Sequence, residues 1–599
     1  MSAIDNRPPR PWRDRRRISM LHFASRIALM VFERRTRRAV KANRKALRDV
    51  LKRNSKTVFG ADHDLQSIRQ GGDLIAQFKS RVPLASYADH EPYIDRIAAG
   101  EQSVLSSDPT NMLAGTSGTT DRPKRIPRTL RAQRRHMMLV VLAEQAVIDR
   151  GIEGATAPDR GVNLMSLYAP SLESESKVPI MSGPNAGMSR IRKQIPLLWS
   201  SPEAVFGIAH QPTALYLHGL FALLNRRTLY IQTPFAPQVV GWFTLMEKYQ
   251  QHIVTDIRTG KLSGHLELTT AKKQDIERDL RPDPDRANEV AAEFEKGFEA
   301  IAPRLWPNLK YIRTVTSGSF ALSLPRLRWL AGPVPIHSGG YSSSEGVIGI
   351  NLKTDGTANY VLACGTSFFE FIPLARVSEN QPGTLDLDEL EVDEVYEVVL
   401  TSCAGLYRYR LGDIVRITGH YGSAPTFEYL YRRGTVLNLV GEKSSELHTE
   451  QALATAVQHW LGSADVVKEY SVAGNIGNGS GRYTFYVELQ DHVVVPIDGI
   501  QHADSLLDDA LCKVNPYYLS NGREAERMRP AQLKLVTSGT FDALTTLQLK
   551  QAGSGNATQI KIPRVIISEE QLRLLEQRTV DSNRDIQPAH YVGLVKRKA

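Results

Sequence analysis

Along this chain, short apolar runs of strand length alternate with stretches of helical spacing, and that succession confines it to sheets covered by helices. Tyr311 to Val315, Ser367 to Ile372 and Val395 to Thr401 read as strands, Ala287 to Ala302 as a helix, and Arg131 to Arg150 repeats its apolar residues at helical spacing. At 599 residues the chain exceeds the size at which one core keeps growing, so more than one domain is expected. The segment RRGTVLNLVGEK, from Arg432 to Lys443, is the expected hinge. Beyond it Leu453, Val457 and Trp460 share one helical face, while Tyr483 to Leu489 and Gln532 to Val536 read as strands, enough for a small α+β domain. The expected division is a basic amphipathic arm over residues 1–40, a large α/β domain of helix-covered sheets over 41–436, and a small mobile domain over 437–599.

Charge narrows the partners. The net charge is +11, yet residues 1–53 hold 17 Lys and Arg against 4 Asp and Glu, which leaves the rest of the chain at −2. A nearly neutral body offers no nucleic-acid surface, and only the arm can act on acidic partners. Within it Arg10 to Arg17 is dense in arginine, Ile18 to Phe32 is apolar but carries His22 and Arg26, and Glu33 to Arg38 turns basic again. Fifteen apolar residues interrupted by a charge are too few to span a membrane, and no small-residue cleavage site follows them. The readings left are an amphipathic helix packed on the body, a peripheral membrane contact through residues 10–38, or a docked partner. Cys364, Cys403 and Cys512 are too widely spaced for a disulfide framework or a CxxC metal site, which favours a reducing cytoplasm.

Three segments carry chemistry. Thr116 to Lys124 reads TSGTTDRPK. Small hydroxyl residues and glycine leave backbone N–H groups free to face an anion, and the closing lysine adds a point charge, so the run suits a phosphate chain. It matches neither GxxxxGK[ST] nor GxGxxG, which argues against a P-loop NTPase or a dinucleotide fold. Tyr341 to Glu345 (YSSSE), a short polar turn before the strand-like Val347 to Leu352, can bring an aromatic face, hydroxyls and a carboxylate into one cleft, the groups that suit adenine, phosphate and magnesium. In LYRYRLGDIVR, from Leu406 to Arg416, period-two alternation predicts a strand with a bend at its end at Gly412-Asp413. An exposed Asp413 carboxylate there can accept hydrogen bonds from both ribose hydroxyls. Each segment also has a plain reading as a solvated turn.

At these residues the sequence resembles the adenylate-forming superfamily, and within it the Gretchen Hagen family of acyl acid amido synthetases, the auxin-responsive promoter type. The resemblance extends through RVPLASYADHEPYIDRIAAG (Arg81 to Gly100), YSSSEGVIGINL, TSFFEFIP (Thr366 to Pro373), AGLYRYRLGD, and Gly539 to Arg564, which begins GTFDAL and ends QIKIPR. It covers residues 45 to 570 in the family's order. The resemblance implies a large N-terminal domain and a small C-terminal cap that rotates between two half-reactions. It implies that Thr116, Ser117, Gly118, Thr119, Thr120 and Lys124 hold the ATP phosphates, that Tyr341 flanks adenine, and that Ser343 and Ser344 line the nucleotide. Ser317 and Gly318 resemble the family's turn beside adenine, Asp413 would hold ribose, and Glu345 would bind Mg2+. Lys443 matches a lysine at the hinge and Lys561 the mobile lysine of the cap, so Lys561, Lys443 and Glu345 are the expected catalytic residues. Asp121 departs from the pattern, because many superfamily members have glycine there and an acid beside triphosphate is unfavourable.

The activity so implied is ATP-dependent joining of a carboxylic acid to an amino acid through an acyl-AMP, carried out by a cytoplasmic monomer. Two alternatives stay open: an acyl-CoA ligase or acyl-adenylate donor to a carrier thiol, and a non-catalytic nucleotide-binding protein docked through its basic arm. For the acyl pocket, the apolar helix-like run Ala209 to Leu223 offers Tyr216 and His218, residues whose commoner role is core packing.

Overall fold

The computed structural model describes residues 11–70, 73–116, 124–165, 176–181, 191–317, 320, 323–433, 437–477, 480–490, 493, 495, 500–552, 562–566 and 568–580. Contacts divide the chain into two units, Met1–Arg433 and Gly434–Ala599. Among the described residues no helix is long and apolar enough to cross a membrane.

The first unit is built on a seven-stranded antiparallel sheet whose spatial order is Phe368–Pro373, Val395–Thr401, Tyr409–Tyr421, Ala424–Arg432, Asn359–Leu362, Val347–Ile350 and Gly340–Ser342. The alternation in Tyr407-Arg408-Tyr409-Arg410 shows how sequence becomes sheet. Tyr407 and Tyr409 are buried, and each alternating arginine meets a buried glutamate of the same sheet, Arg410 on the adjacent strand and Arg408 on the edge strand one further across. Arg408 binds Glu370 at 2.9 Å, with both side chains buried, and Arg410 binds Glu397 at 2.6 Å. Arg408 also donates to the carbonyls of Lys79 and Val82, so every arm of its guanidinium is satisfied, which a buried charge requires. The bend predicted at Gly412-Asp413 does not end the strand. Gly412 takes a positive φ of 78° inside Tyr409–Tyr421 and the strand continues for nine residues, because the register slips against both neighbours and absorbs the turn as bulges.

A second, parallel sheet orders Val162–Asn163, Tyr230–Phe235, Tyr311–Val315 and Ile336–His337, as crossover helices between consecutive strands require. Its helices Gln211–Leu224 and Ala236–Lys248 close over a core in which Trp242 and Trp306 stack at 5.8 Å, each indole N–H donating to a carbonyl of the first helix. The helix expected over Ala287 to Ala302 is two, Pro284–Glu295 and Ile301–Leu305, parted where Gly297 adopts positive φ.

Near the amino end, the helix Trp12–Thr36 lies against this unit. Ile18, Ala28, Leu29 and Phe32 are buried, and the last three share a core with Ile348 and Tyr360 of the large sheet. His22 meets Asp149 at 2.6 Å, Glu33 meets Arg150 at 2.9 Å, and Ser423 accepts the amide of Ala39. Of the readings of the arm, packing on the body is therefore realised along this inner face. Phe32→Ala is expected to cost about 3–5 kcal/mol, the loss typical of a buried phenylalanine, read as a lower urea midpoint with unchanged slope.

The second unit carries a four-stranded sheet in the order Gln532–Leu535, Ser480–Leu489, Val467–Gly477, Val565–Ile566. Tyr483, Phe485 and Val487 point to a core shared with the helices Glu446–Leu461 and Ile500–Val514, and Tyr486 points to the other face with Phe541 and Leu575. That is the period-two pattern of a strand covered on both faces.

Candidate functional site

Asp413 and Arg432 are directly opposed in the antiparallel pairing of the two long strands. Asp413 is buried rather than exposed: it accepts the Tyr341 hydroxyl and the Nε of Arg432, and Nη2 of the same guanidinium lies 3.0 Å from Oδ2. A carboxylate offers about four acceptor sites, so three donors leave it about one, which suits a single ribose hydroxyl rather than two. Burial and the Asp413 charge push the Tyr341 phenol well above its ordinary range, so it stays a donor. The Tyr341 ring lies 5.3 Å from Tyr429 and 5.5 Å from Tyr360, whose hydroxyl is bonded by both Ser317 and Ser338 at 3.1 Å.

Glu345 sits in the turn between Gly340–Ser342 and Val347–Ile350. The amide of Ser343 donates to the Gly346 carbonyl at 2.9 Å, the Glu345 amide to Ser343 Oγ at 3.2 Å, and Arg128 to the Ser344 carbonyl at 2.8 Å, so the turn is held from inside and from a neighbouring strand. The Glu345 charge acts on Lys124, Arg432 and Tyr409. Lys124 opens the strand Lys124–Thr129 and is paired in register with Thr116 of Thr110–Thr116. Burial lowers its pKa while Glu345 opposes the fall, and its ammonium lies 5.7 Å from the Tyr87 ring. Lys124, Glu345, Arg432, Asp413 and Tyr341, spread over more than 300 positions of sequence, thus form one electrostatically connected group.

Behind it runs a helix with an irregular middle: α-helical over Leu130–His136, π-helical over Met137–Ala143, and α-helical again over Glu144–Gly151. Single π turns collect at functional sites because they re-aim side chains and free carbonyls. Here the freed Val140 carbonyl accepts Arg313 at 2.5 Å, and Arg313 also clasps the buried Glu144 carboxylate. Glu144 in turn accepts the Gly340 amide at 3.0 Å, and a Cβ on Gly339 would fall 1.6 Å from Glu144 Oε1. The glycine pair before Tyr341 is therefore the landing place of a carboxylate. Sequence reading missed Glu144 and Arg313, which lie 169 positions apart, and Arg432, whose partner Asp413 is set by strand register, since nothing local in a helix or strand announces such a partner.

Ser117, Gly118, Thr119, Thr120, Gly318 and Lys561, and the departing Asp121, lie outside the described residues; the run 117–123 joins the paired strands that end at Thr116 and begin at Lys124. Tyr216 and His218 are buried in the core of the first unit, on the helix Gln211–Leu224 rather than on a cleft wall, because that helix is packed on all sides. Tyr216 donates to Asp256 at 2.7 Å and His218 meets Ser201 at 2.7 Å. Burial pushes the His218 imidazole down to about 3. The unfolded chain takes up that proton near pH 6.5, so the stability is full above this pH and is lost as pH falls, by up to about 1.4 kcal/mol per unit. Urea unfolding at about pH 7 and about pH 5 is expected to show wild type losing roughly 2 kcal/mol more than His218→Gln.

Lys443, in the second unit, holds a left-handed φ of 45°. The buried Glu442 carboxylate accepts the amides of Leu439 and Val440 at 2.5 and 2.7 Å and the Tyr483 hydroxyl, and Asn515 binds the Glu442 carbonyl at 3.0 Å. A non-glycine residue persists in that conformation only where its surroundings over-determine it, and strain of this kind collects at functional loops.

A large antiparallel sheet beside a helix-covered parallel one, followed by an α+β unit, is the framework of an adenylate-forming enzyme. The chain belongs to the GH3 family: its N-terminal domain matches residues 28–336, its central domain 360–432 and its C-terminal domain 447–570. Among relatives, the indole-3-acetic acid-amido synthetase GH3.6 of Arabidopsis thaliana is 27% identical over 585 residues, covering 92% of this chain and 93% of its own. The jasmonoyl-L-amino acid synthetase GH3.5 of Oryza sativa subsp. japonica is 28% identical, covering 89% and 94%. The structure of the AtGH3.15 acyl acid amido synthetase in complex with 2,4-DB matches with a TM-score of 0.62 at 27% identity, covering 93% of this chain and 96% of that one.

Proposed function

We propose that this chain is an ATP-dependent acyl acid amido synthetase that activates a carboxylic acid as acyl-AMP and passes it to an amino acid amine. The observation that carries the reading is the connected group Lys124, Glu345, Arg432, Asp413 and Tyr341, an ensemble suited to a nucleotide, in a chain that the GH3 family matches over residues 28–336, 360–432 and 447–570.

A carboxylate is a poor acylating agent because its leaving group would be oxide. Attack of its oxygen on the α-phosphorus of ATP expels pyrophosphate and makes a mixed anhydride whose leaving group is AMP. The amine nitrogen then adds to the carbonyl, loses its proton, and AMP departs with the former anhydride bond. Thr116 to Thr120 and Lys124 are assigned to the phosphates, Tyr341, Ser343, Ser344, Ser317 and Gly318 to the adenine side, and Asp413 to ribose. Lys443 and Lys561 are assigned to the charge that grows on the α-phosphate oxygens during the two steps.

No group of three or more His, Cys, Asp and Glu that could hold a metal is found among the described residues. Magnesium fits nonetheless through Glu345, since this ion is usually held by one or two carboxylates, waters and the substrate's own phosphates. Bound there, it would supply positive charge to the departing pyrophosphate. Screening carboxylic acids against amino acids, with pyrophosphate and AMP followed and products identified by mass, tests the reading. An amide formed with one AMP per turnover is expected, and AMP release with coenzyme A but not with amino acids would reverse it.

A further inference from the structure

The helix Trp12–Thr36 has a second apolar face. Opposite the buried Ile18, Ala28, Leu29 and Phe32, the residues Trp12, Met20, Phe23 and Met30 are 60–66% exposed and Ile27 is 42% exposed. Their positions, with Arg16 and Arg34, repeat at helical spacing along one line, so they form a continuous stripe rather than scattered exceptions. The exposed Arg13, Arg15, Arg17 and Arg26 lie on the same helix. At its C-terminal end Arg35 joins Arg131, Arg134 and Arg135 around a cavity of about 420 Å³ that is also lined by Asp108, paired with Arg131 at 2.7 Å, and among the described residues neither Arg35 nor Arg134 has a carboxylate partner. The first sixteen residues of the helix lie upstream of the family match that begins at residue 28.

We propose that this outer face is a docking surface for an anionic lipid membrane, with the helix lying in the headgroup layer while its inner face stays packed on the enzyme. Charge complementarity selects this occupant. The helix lies within residues 1–53, which carry a net +13 while the rest of the chain totals −2, and exposed aromatic and aliphatic side chains between arginines are the groups that enter a headgroup layer. A second copy would bring the same arginines face to face, which disfavours it. The inference does not depend on the proposed reaction.

The test is sedimentation of the full chain with phosphatidylcholine vesicles, with and without phosphatidylglycerol, for wild type, Phe23→Glu/Met30→Glu and Arg16→Glu/Arg34→Glu, alongside light scattering and urea unfolding. Wild type is expected to bind the phosphatidylglycerol vesicles and to be released by salt. Both double variants are expected to lose at least about tenfold in partitioning while keeping the wild-type unfolding midpoint. No binding to either vesicle, equal binding to both, or a wild-type dimer that Phe23→Glu/Met30→Glu splits would overturn the proposal.

Discussion

Asp413→Ala is expected to abolish adenylate formation, by at least about a thousandfold, and to lower stability by about 3–5 kcal/mol. The two effects have one cause. Asp413 is the counter-charge of Arg432 in the paired long strands and the acceptor of the Tyr341 hydroxyl. Without it a partly buried guanidinium keeps its charge and loses its partner, and breaking such a pair costs more the drier it is. The same deletion frees Tyr341 and removes the carboxylate assigned to ribose. Asp413→Asn separates the two consequences: it keeps the shape and one acceptor oxygen, so it should fold more stably than Asp413→Ala while remaining deficient in ATP-pyrophosphate exchange. Wild-type exchange in Asp413→Asn would mean that this carboxylate serves the fold alone.

Lys561→Ala is expected to reduce adenylate formation by about 10²–10³-fold while ATP affinity stays within several-fold. A lysine that meets charge developing on the α-phosphate acts in the transition state more than in the bound ground state, so its loss should appear in turnover rather than in binding. Single-turnover formation of acyl-AMP, followed beside an ATP titration, checks this. Normal turnover in the variant would refute the role given to Lys561.

Sequence patterns carried the fold where the physics is local. Tyr311–Val315 and Val395–Thr401 form strands over the residues their apolar runs predicted, because β-rich apolar segments this short have few other ways to hide. The alternation of Tyr483 to Leu489 was legible for the same reason. Where a conformation depends on a distant partner, the pattern misled. Gly412 reads as the end of a strand, but the neighbouring strands continue the pairing past it and turn it into a bulge. The run Met137–Ala143 has ordinary helical spacing, and its π turn lies where the distant Arg313 reaches the Val140 carbonyl and the Glu144 carboxylate of the same helix.

The site shows the same division. Tyr341, Glu345, Asp413 and Lys124 could be singled out because their types, in short polar turns, suit a nucleotide, and resemblance to the family gave them roles. Their electrostatic organiser, Arg432, could not, since its meaning comes from strand register. Tyr216 and His218 show the converse ambiguity: an apolar helix with polar handles reads either as a pocket wall or as core, and their handles are satisfied inside the core by Asp256 and Ser201. A buried Tyr or His with an internal partner leaves the same trace in sequence as a ligand-binding one.

The proposed function depends on conversion of a carboxylic acid into a mixed anhydride with AMP at one site. It is tested most directly by exchange of labelled pyrophosphate into ATP, with the amine withheld and carboxylic acids supplied one at a time. Exchange that requires an acid and is lost in Asp413→Asn is expected. ATP that binds and never exchanges label, with every acid offered, would contradict it.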